Sequence, residues 1–198
     1  MDHDYTAEQS ASDGGLIDKF VENTGHDKAI VMDYYDGNTV TALWYYAQHF
    51  AMSDNSFGTT FGPSSVGALN PAAGHTHGAS AYSANVAQNG RPLGPNDPGY
   101  PATALNGNGT LFGDVDPYYD SASRKSAIRM KGRNIGDPLN RGGITWGWFH
   151  GGIGDPGRKH KNVGGADVLY YIPHHEPFRY RFLKRLLKHY AVSGSSHR

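Results

Sequence analysis

The sequence predicts an α/β fold with a mainly parallel sheet and a site at the strand ends. Segments with helical spacing of apolar residues alternate with short apolar and aromatic runs along a chain of 198 residues, long enough for one packed domain. The 27 glycines imply many turns, and 12% aromatic residues supply rings for a core between them.

The first element is a helix from about Ala7 to Asn23. Thr6 and Gln9 have capping-box spacing, Leu16, Ile17, Phe20 and Val21 recur at helical intervals, and Gly14-Gly15 weakens the middle. "AIVMDYYDGN" is a short apolar run closed by a turn signal, as in a buried strand or an irregular connection. A second helix starts near Thr39 and is expected to bury Leu43, Tyr46, Ala47 and Phe50. Residues 71–110 hold seven glycines and five prolines, which predicts a long loop excursion outside the core. "RNIGDPLNRGG" reads as a short helix ended by Gly142-Gly143, "ITWGWFHGG" as an aromatic strand, and "ADVLYYIPHHEPF" as a strand entering a Pro-bounded loop. From Arg179 to Arg198 there are six Lys or Arg and no acid, and "RFLKRLLKHY" has the pattern of a basic amphipathic helix, solvated or in contact with a membrane.

Composition narrows the function. Eighteen basic residues balance 18 acidic ones, so no net positive field draws the whole chain to nucleic acid. With no cysteine, thiolate zinc sites and thiol catalysis are excluded, and a metal needs His, carboxylate or hydroxyl ligands. No apolar run approaches the roughly 20 residues that span a bilayer, and "MDHDYTAEQ" is acidic and polar where a signal peptide is basic and then apolar.

Four groups of residues carry candidate chemistry. In "FGTTFGPSSVGALN", Ser64 follows Gly62-Pro63, a setting that suits either a plain turn or a hydroxyl nucleophile beside backbone N–H groups. In "IPHHEPF", His174 and His175 reach one ligand only if the flanking prolines bend the chain, and they are then phosphate donors or metal ligands. "GHTHG" gives His75 and His77 the spacing of a metal clip or a polar turn. "GDVDPYYD" places Asp114, Asp116 and Asp120 as in the start of a calcium loop, but lacks the central glycine and closing glutamate, so it reads as a turn with acidic caps.

Together "HDYTAEQ", "GGLIDKFVE", "LWYYAQHFAMSDNSFGTTFGPSSVGALN", "GHTHGA", "GRNIGDPLN", "GITWGWFHGG" and "YIPHHEPF" resemble the phosphoesterases that include phosphatidylcholine-type phospholipase C and respiratory-burst-inhibiting acid phosphatases, within the alkaline phosphatase superfamily. The resemblance covers roughly residues 2–180 and leaves 181–198 as a basic non-family tail, as a reading-frame shift near Arg181 would produce. It implies part of an alkaline-phosphatase-like α/β/α sandwich that hydrolyses phosphate esters, phospholipids among them, through a phosphoserine intermediate. Ser64 falls on the nucleophile position, with Ser65 as its substitute; His174, His175 and His3 fall on phosphate-contacting histidines. The implied cofactor is a divalent metal ion touching Ser64, with further ligands in an "ENRSFD"-like and a "DDSDG"-like motif, neither of which occurs in this sequence. The expectation is therefore an internal piece with impaired turnover, and the alternative is a phosphate-binding module without chemistry. Export is common in the family, and this sequence does not fix the compartment. Pro138 stands where the family has leucine, and at a first helical turn it costs little.

Overall fold

The computed structural model describes residues 2–23, 25 and 28–181. It divides into two compact units, Met1–Pro63 and Ser64–Arg198. The basic stretch expected at 182–198 lies outside the described residues. No helix among the described residues is long and apolar enough to cross a membrane.

The first unit is helical. Its long expected helix is instead α1 (Tyr5–Ser12), a 3-10 turn (Asp13–Gly15) and α2 (Phe20–Asn23). The break falls where Gly14 and Gly15 take φ of 64° and 105°, conformations foreign to a right-handed helix. The capping box is not formed, because the helix starts at Tyr5 and Gln9 Nε2 donates to the Tyr5 hydroxyl. "KAIVM" forms a 3-10 turn (Lys28–Met32) and not a strand. The second helix, α3 (Thr41–His49), forms where expected, but its apolar stripe is not buried: Leu43 is 67%, Tyr46 55% and Phe50 73% exposed. Among the described residues of this unit Ala11 is the one buried hydrophobic, so no second layer covers the stripe.

The second unit holds the α/β core. Helix α4 (Ser64–Ala73) is followed by β1 (Ala79–Tyr82), β2 (Pro92–Leu93), β3 (Asp116–Pro117) and β4 (Ala127–Met130). They make a four-stranded sheet in the order β2-β1-β4-β3. Only the β3–β4 pair is parallel, so the expected mainly parallel sheet is a mixed one dominated by antiparallel pairs. The short connection between β1 and β2 leaves no room for a crossover helix, which parallel neighbours generally need. Register places small against large: Ala79 faces Met130 and Ala81 faces Ile128. These pairs, with Val66 and Leu69 of α4, Leu93, Leu105, Leu111 and Tyr180, form the core. Each fully buried Leu or Ile there contributes about 1.5–3 kcal/mol.

Residues 71–110 are thus not an excursion from the core, since they carry β1, β2, Ala104 and Leu105. Pro71 lies in α4 and Pro92 in β2, and the other glycines and prolines of this stretch lie outside the strands. Helix α5 (Gly136–Arg141) forms as expected, ends at Gly142 and tolerates Pro138 in its first turn. Asn134 and Asp137 cap it reciprocally, with Gly136 N–H donating to Asn134 Oδ1 and Asn134 N–H to Asp137 Oδ2, both at 2.9 Å. A separate hairpin pairs β5 (Lys159–Lys161) with β6 (Asp167–Leu169). "ITWGWFHGG" has no ladder partner among the described residues and is irregular. Its alternation instead turns Trp146 and Trp148 to one side, where both rings contact buried Phe178 at 5.1 and 5.4 Å.

Candidate functional site

The end of the first unit is shaped by glycine and held by α1. Gly62 adopts φ 112°, a region closed to ordinary L-residues, and its N–H donates to Glu8 Oε2 at 2.6 Å. Phe61 meets the Tyr5 ring edge-on at 6.4 Å, so the "YTAEQ" and "FGP" segments pack together within the first unit.

Ser64 and Ser65 then open α4 with opposite fates. Ser65 is fully buried, and its N–H donates to Asp114 Oδ1 at 2.8 Å. The Tyr180 hydroxyl lies 3.1 Å from Ser65 Oγ and 2.6 Å from the Val115 carbonyl. A phenol has one proton, so it donates to the carbonyl and accepts from the serine. Burial raises the Tyr180 pKa, which keeps that proton in place. Ser65 is therefore committed to structure. Ser64 is half-buried, and among the described residues its hydroxyl has no hydrogen-bond partner.

Asp114 connects this helix start to the histidine pair. Its other oxygen, Oδ2, is 3.7 Å from His174 Nε2, while Asp116 Oδ1 is 3.5 Å from His174 Nδ1. The imidazole is held between two carboxylates, and its pKa is raised, first by the hydrogen bond to Asp116 and then by the charge of Asp114, against an opposing desolvation. Residues 173–175 form a 3-10 turn, the bend that the flanking prolines predict. In that turn the His175 ring stands perpendicular to His174, with centroids 4.6 Å apart. Burial and the neighbouring charge of His174 push the His175 pKa down. The two adjacent imidazoles are thus pushed in opposite directions, His174 toward keeping its proton and His175 toward losing it.

A polar brace supports the pair from behind. Buried Glu176 accepts hydrogen bonds from Trp148 Nε1 at 2.9 Å and from His150 Nδ1. Tyr171, also buried, donates to Asp120 Oδ2, and Asp120 Oδ1 accepts from Ala122 N–H at 2.8 Å. Each acid of "GDVDPYYD" therefore has a specific partner, and two of them hold His174. Sequence reading treated them as turn caps. The Asp-x-Asp spacing puts both carboxylates on one side of an extended chain, but it does not say which distant residue they hold.

Of the sequence-predicted residues, Ser64, His174 and His175 belong to the second unit, where α4 packs on the 173–175 turn. His3 is exposed ahead of α1 in the first unit. His75 and His77 form a polar turn: His75 Nδ1 is 3.1 Å from the His77 carbonyl, and Arg181 donates to His75 Nε2 at 3.2 Å. With both ring nitrogens engaged and its pKa lowered, first by burial and then by Arg181, His75 is not half of a metal clip. Among the described residues no three His, Asp or Glu side chains converge on a point that a metal ion could occupy. These residues therefore do not by themselves form a cage for the divalent cation expected at Ser64.

A family model described as the Phosphoesterase family matches residues 1–193 of the chain. No curated protein matches it.

Proposed function

The chain belongs to the phosphoesterase family, whose chemistry is the hydrolysis of phosphate esters, and from that premise we propose that Ser64 is the nucleophile and that His174 and His175 serve the phosphoryl group. The observation that carries this reading is Asp114, which grips both the N–H beside Ser64 and the His174 imidazole. The nucleophile position and the histidine pair are thereby tied together although 110 positions apart (174 − 64 = 110) in sequence.

The chain's own side chains then suit a two-step transfer. Ser64 Oγ attacks phosphorus and its proton passes to neutral His175. The bond from phosphorus to the ester oxygen breaks, and the departing alcohol takes a proton from the His174 imidazolium at Nε2, whose 3.7 Å separation from Asp114 Oδ2 is longer than a hydrogen bond and leaves that N–H able to serve the ester oxygen. Water next attacks the phosphoserine, giving its proton to His174, while Ser64 Oγ leaves and recovers a proton from His175. Both histidines return to their starting states, and phosphate is released. During each step an imidazolium next to the phosphoryl oxygens offsets their charge. The divalent cation that the family resemblance implies would need ligands in addition to the described His, Asp and Glu groups, no three of which converge. Phospholipase C or acid phosphatase activity is the finer form of this reading.

Phosphate binding without turnover is the second reading, favoured by the lack of a convergent metal-ligand set among the described residues. Turnover of a chromogenic phosphate ester, with and without added divalent ions, separates the two. Release of chromophore that is lost in Ser64→Ala supports the enzyme, whereas orthophosphate binding with no release supports the module.

A further inference from the structure

A cavity of about 460 Å³ is lined by His174 and Asp116. This volume suits a small alcohol or head group and falls at the low end of ligand pockets. Leu169 and Ile172 give it an apolar wall, and Gln88 and Arg124 bring polar groups from two other segments. The charges around it are unequal. Asp116 is already engaged through both oxygens, Oδ1 at His174 and Oδ2 accepting the Arg124 N–H at 2.9 Å. The Arg124 side chain is exposed, and among the described residues it has no acidic partner. The cavity thus combines one uncommitted cation and one uncommitted amide with an apolar wall.

On the reading that the phosphoryl group is held between Ser64 and His174, we propose that this cavity receives the alcohol portion of the ester, and that Arg124 and Gln88 select esters whose alcohol carries an apolar body ending in a carboxylate or second phosphate. A guanidinium pairs with such an anion in a bidentate manner, while a quaternary ammonium head group meets the like charge of Arg124 and, in Asp116, a carboxylate whose two oxygens are already engaged. Arg124 is a specificity-determining residue and takes no part in proton transfer.

Binding tests this without depending on turnover. The affinities of orthophosphate, phenyl phosphate, 4-carboxyphenyl phosphate and phosphocholine are measured by calorimetry on the full chain and on Arg124→Gln and Arg124→Lys. The carboxylated ester binds the unaltered chain roughly tenfold tighter than phenyl phosphate, the scale of one charge-assisted contact. Arg124→Gln removes that preference, Arg124→Lys keeps part of it, and orthophosphate binds all three alike. Equal binding of the two aryl esters, tightest binding of phosphocholine, or a preference that survives Arg124→Gln overturns the assignment while leaving the phosphate site standing. Failure of orthophosphate to bind the unaltered chain overturns both.

Discussion

Replacing Tyr180 with phenylalanine removes one oxygen atom from the point where three segments of the site meet. That hydroxyl donates to the Val115 carbonyl at 2.6 Å and accepts from Ser65 Oγ at 3.1 Å, in a fully buried position. The variant keeps the ring and its packing, so no cavity term arises beyond the single atom. It leaves a buried carbonyl without its donor and a buried serine without its acceptor. Each lost bond is worth about 1 kcal/mol, and an orphaned buried partner raises this toward 1–3 kcal/mol, so a loss of about 2 kcal/mol is expected. For a chain of this size that is a fall in melting temperature of roughly 4–8 °C. Urea unfolding of wild type and Tyr180→Phe, followed by near-ultraviolet circular dichroism, measures the difference. Ser65→Ala should lose about 1 kcal/mol, and the double variant less than the sum, because both act on one bond. A Tyr180→Phe loss below roughly 0.5 kcal/mol would refute the reasoning, since it is within the range of an ordinary surface change.

Gly62→Ala forces a Cβ into φ 112° and should lower stability by about 1–3 kcal/mol, with the denaturation midpoint as readout. Leu69→Ala truncates a side chain with no exposure in the core beneath α4 and should cost about 2–5 kcal/mol by the same measurement. For His174 the folded pKa is raised above its unfolded value, so its ion pairing contributes stability fully below about pH 6.5 and loses it as pH rises through the folded pKa. The stability difference between wild type and Asp116→Asn should therefore be about 1 kcal/mol at pH 5.5 and shrink by pH 8.5; a difference that grows with pH would contradict the pairing.

Sequence reading succeeded where the signal is local. The stop of α5 at Gly142, the position of α3 and the bend at His174-His175 follow from glycine, periodicity and proline within a few residues. It failed where the deciding partner is distant. Asp114 and Asp116 look like turn residues until the chain brings His174 back to them, and nothing within ten residues announces that contact. The strands inside 71–110 are two to four residues long, too short for alternation to register against the surrounding glycines and prolines. In 144–152 the alternation predicts a strand, but among the described residues no strand pairs with the segment, and its rings face Phe178 and Glu176. The stripe on α3 has a helical period, yet burial depends on a covering layer that its own unit does not supply among the described residues.

The central claim is that the free hydroxyl at the start of α4, and not its buried neighbour, takes the phosphoryl group. Incubating the full chain with a chromogenic phosphate ester, quenching in acid and mapping the modified peptide by mass spectrometry tests it directly. The account predicts phosphate on Ser64, its disappearance in Ser64→Ala and its persistence in Ser65→Ala; phosphate on Ser65, or ester turnover that survives Ser64→Ala, would contradict it.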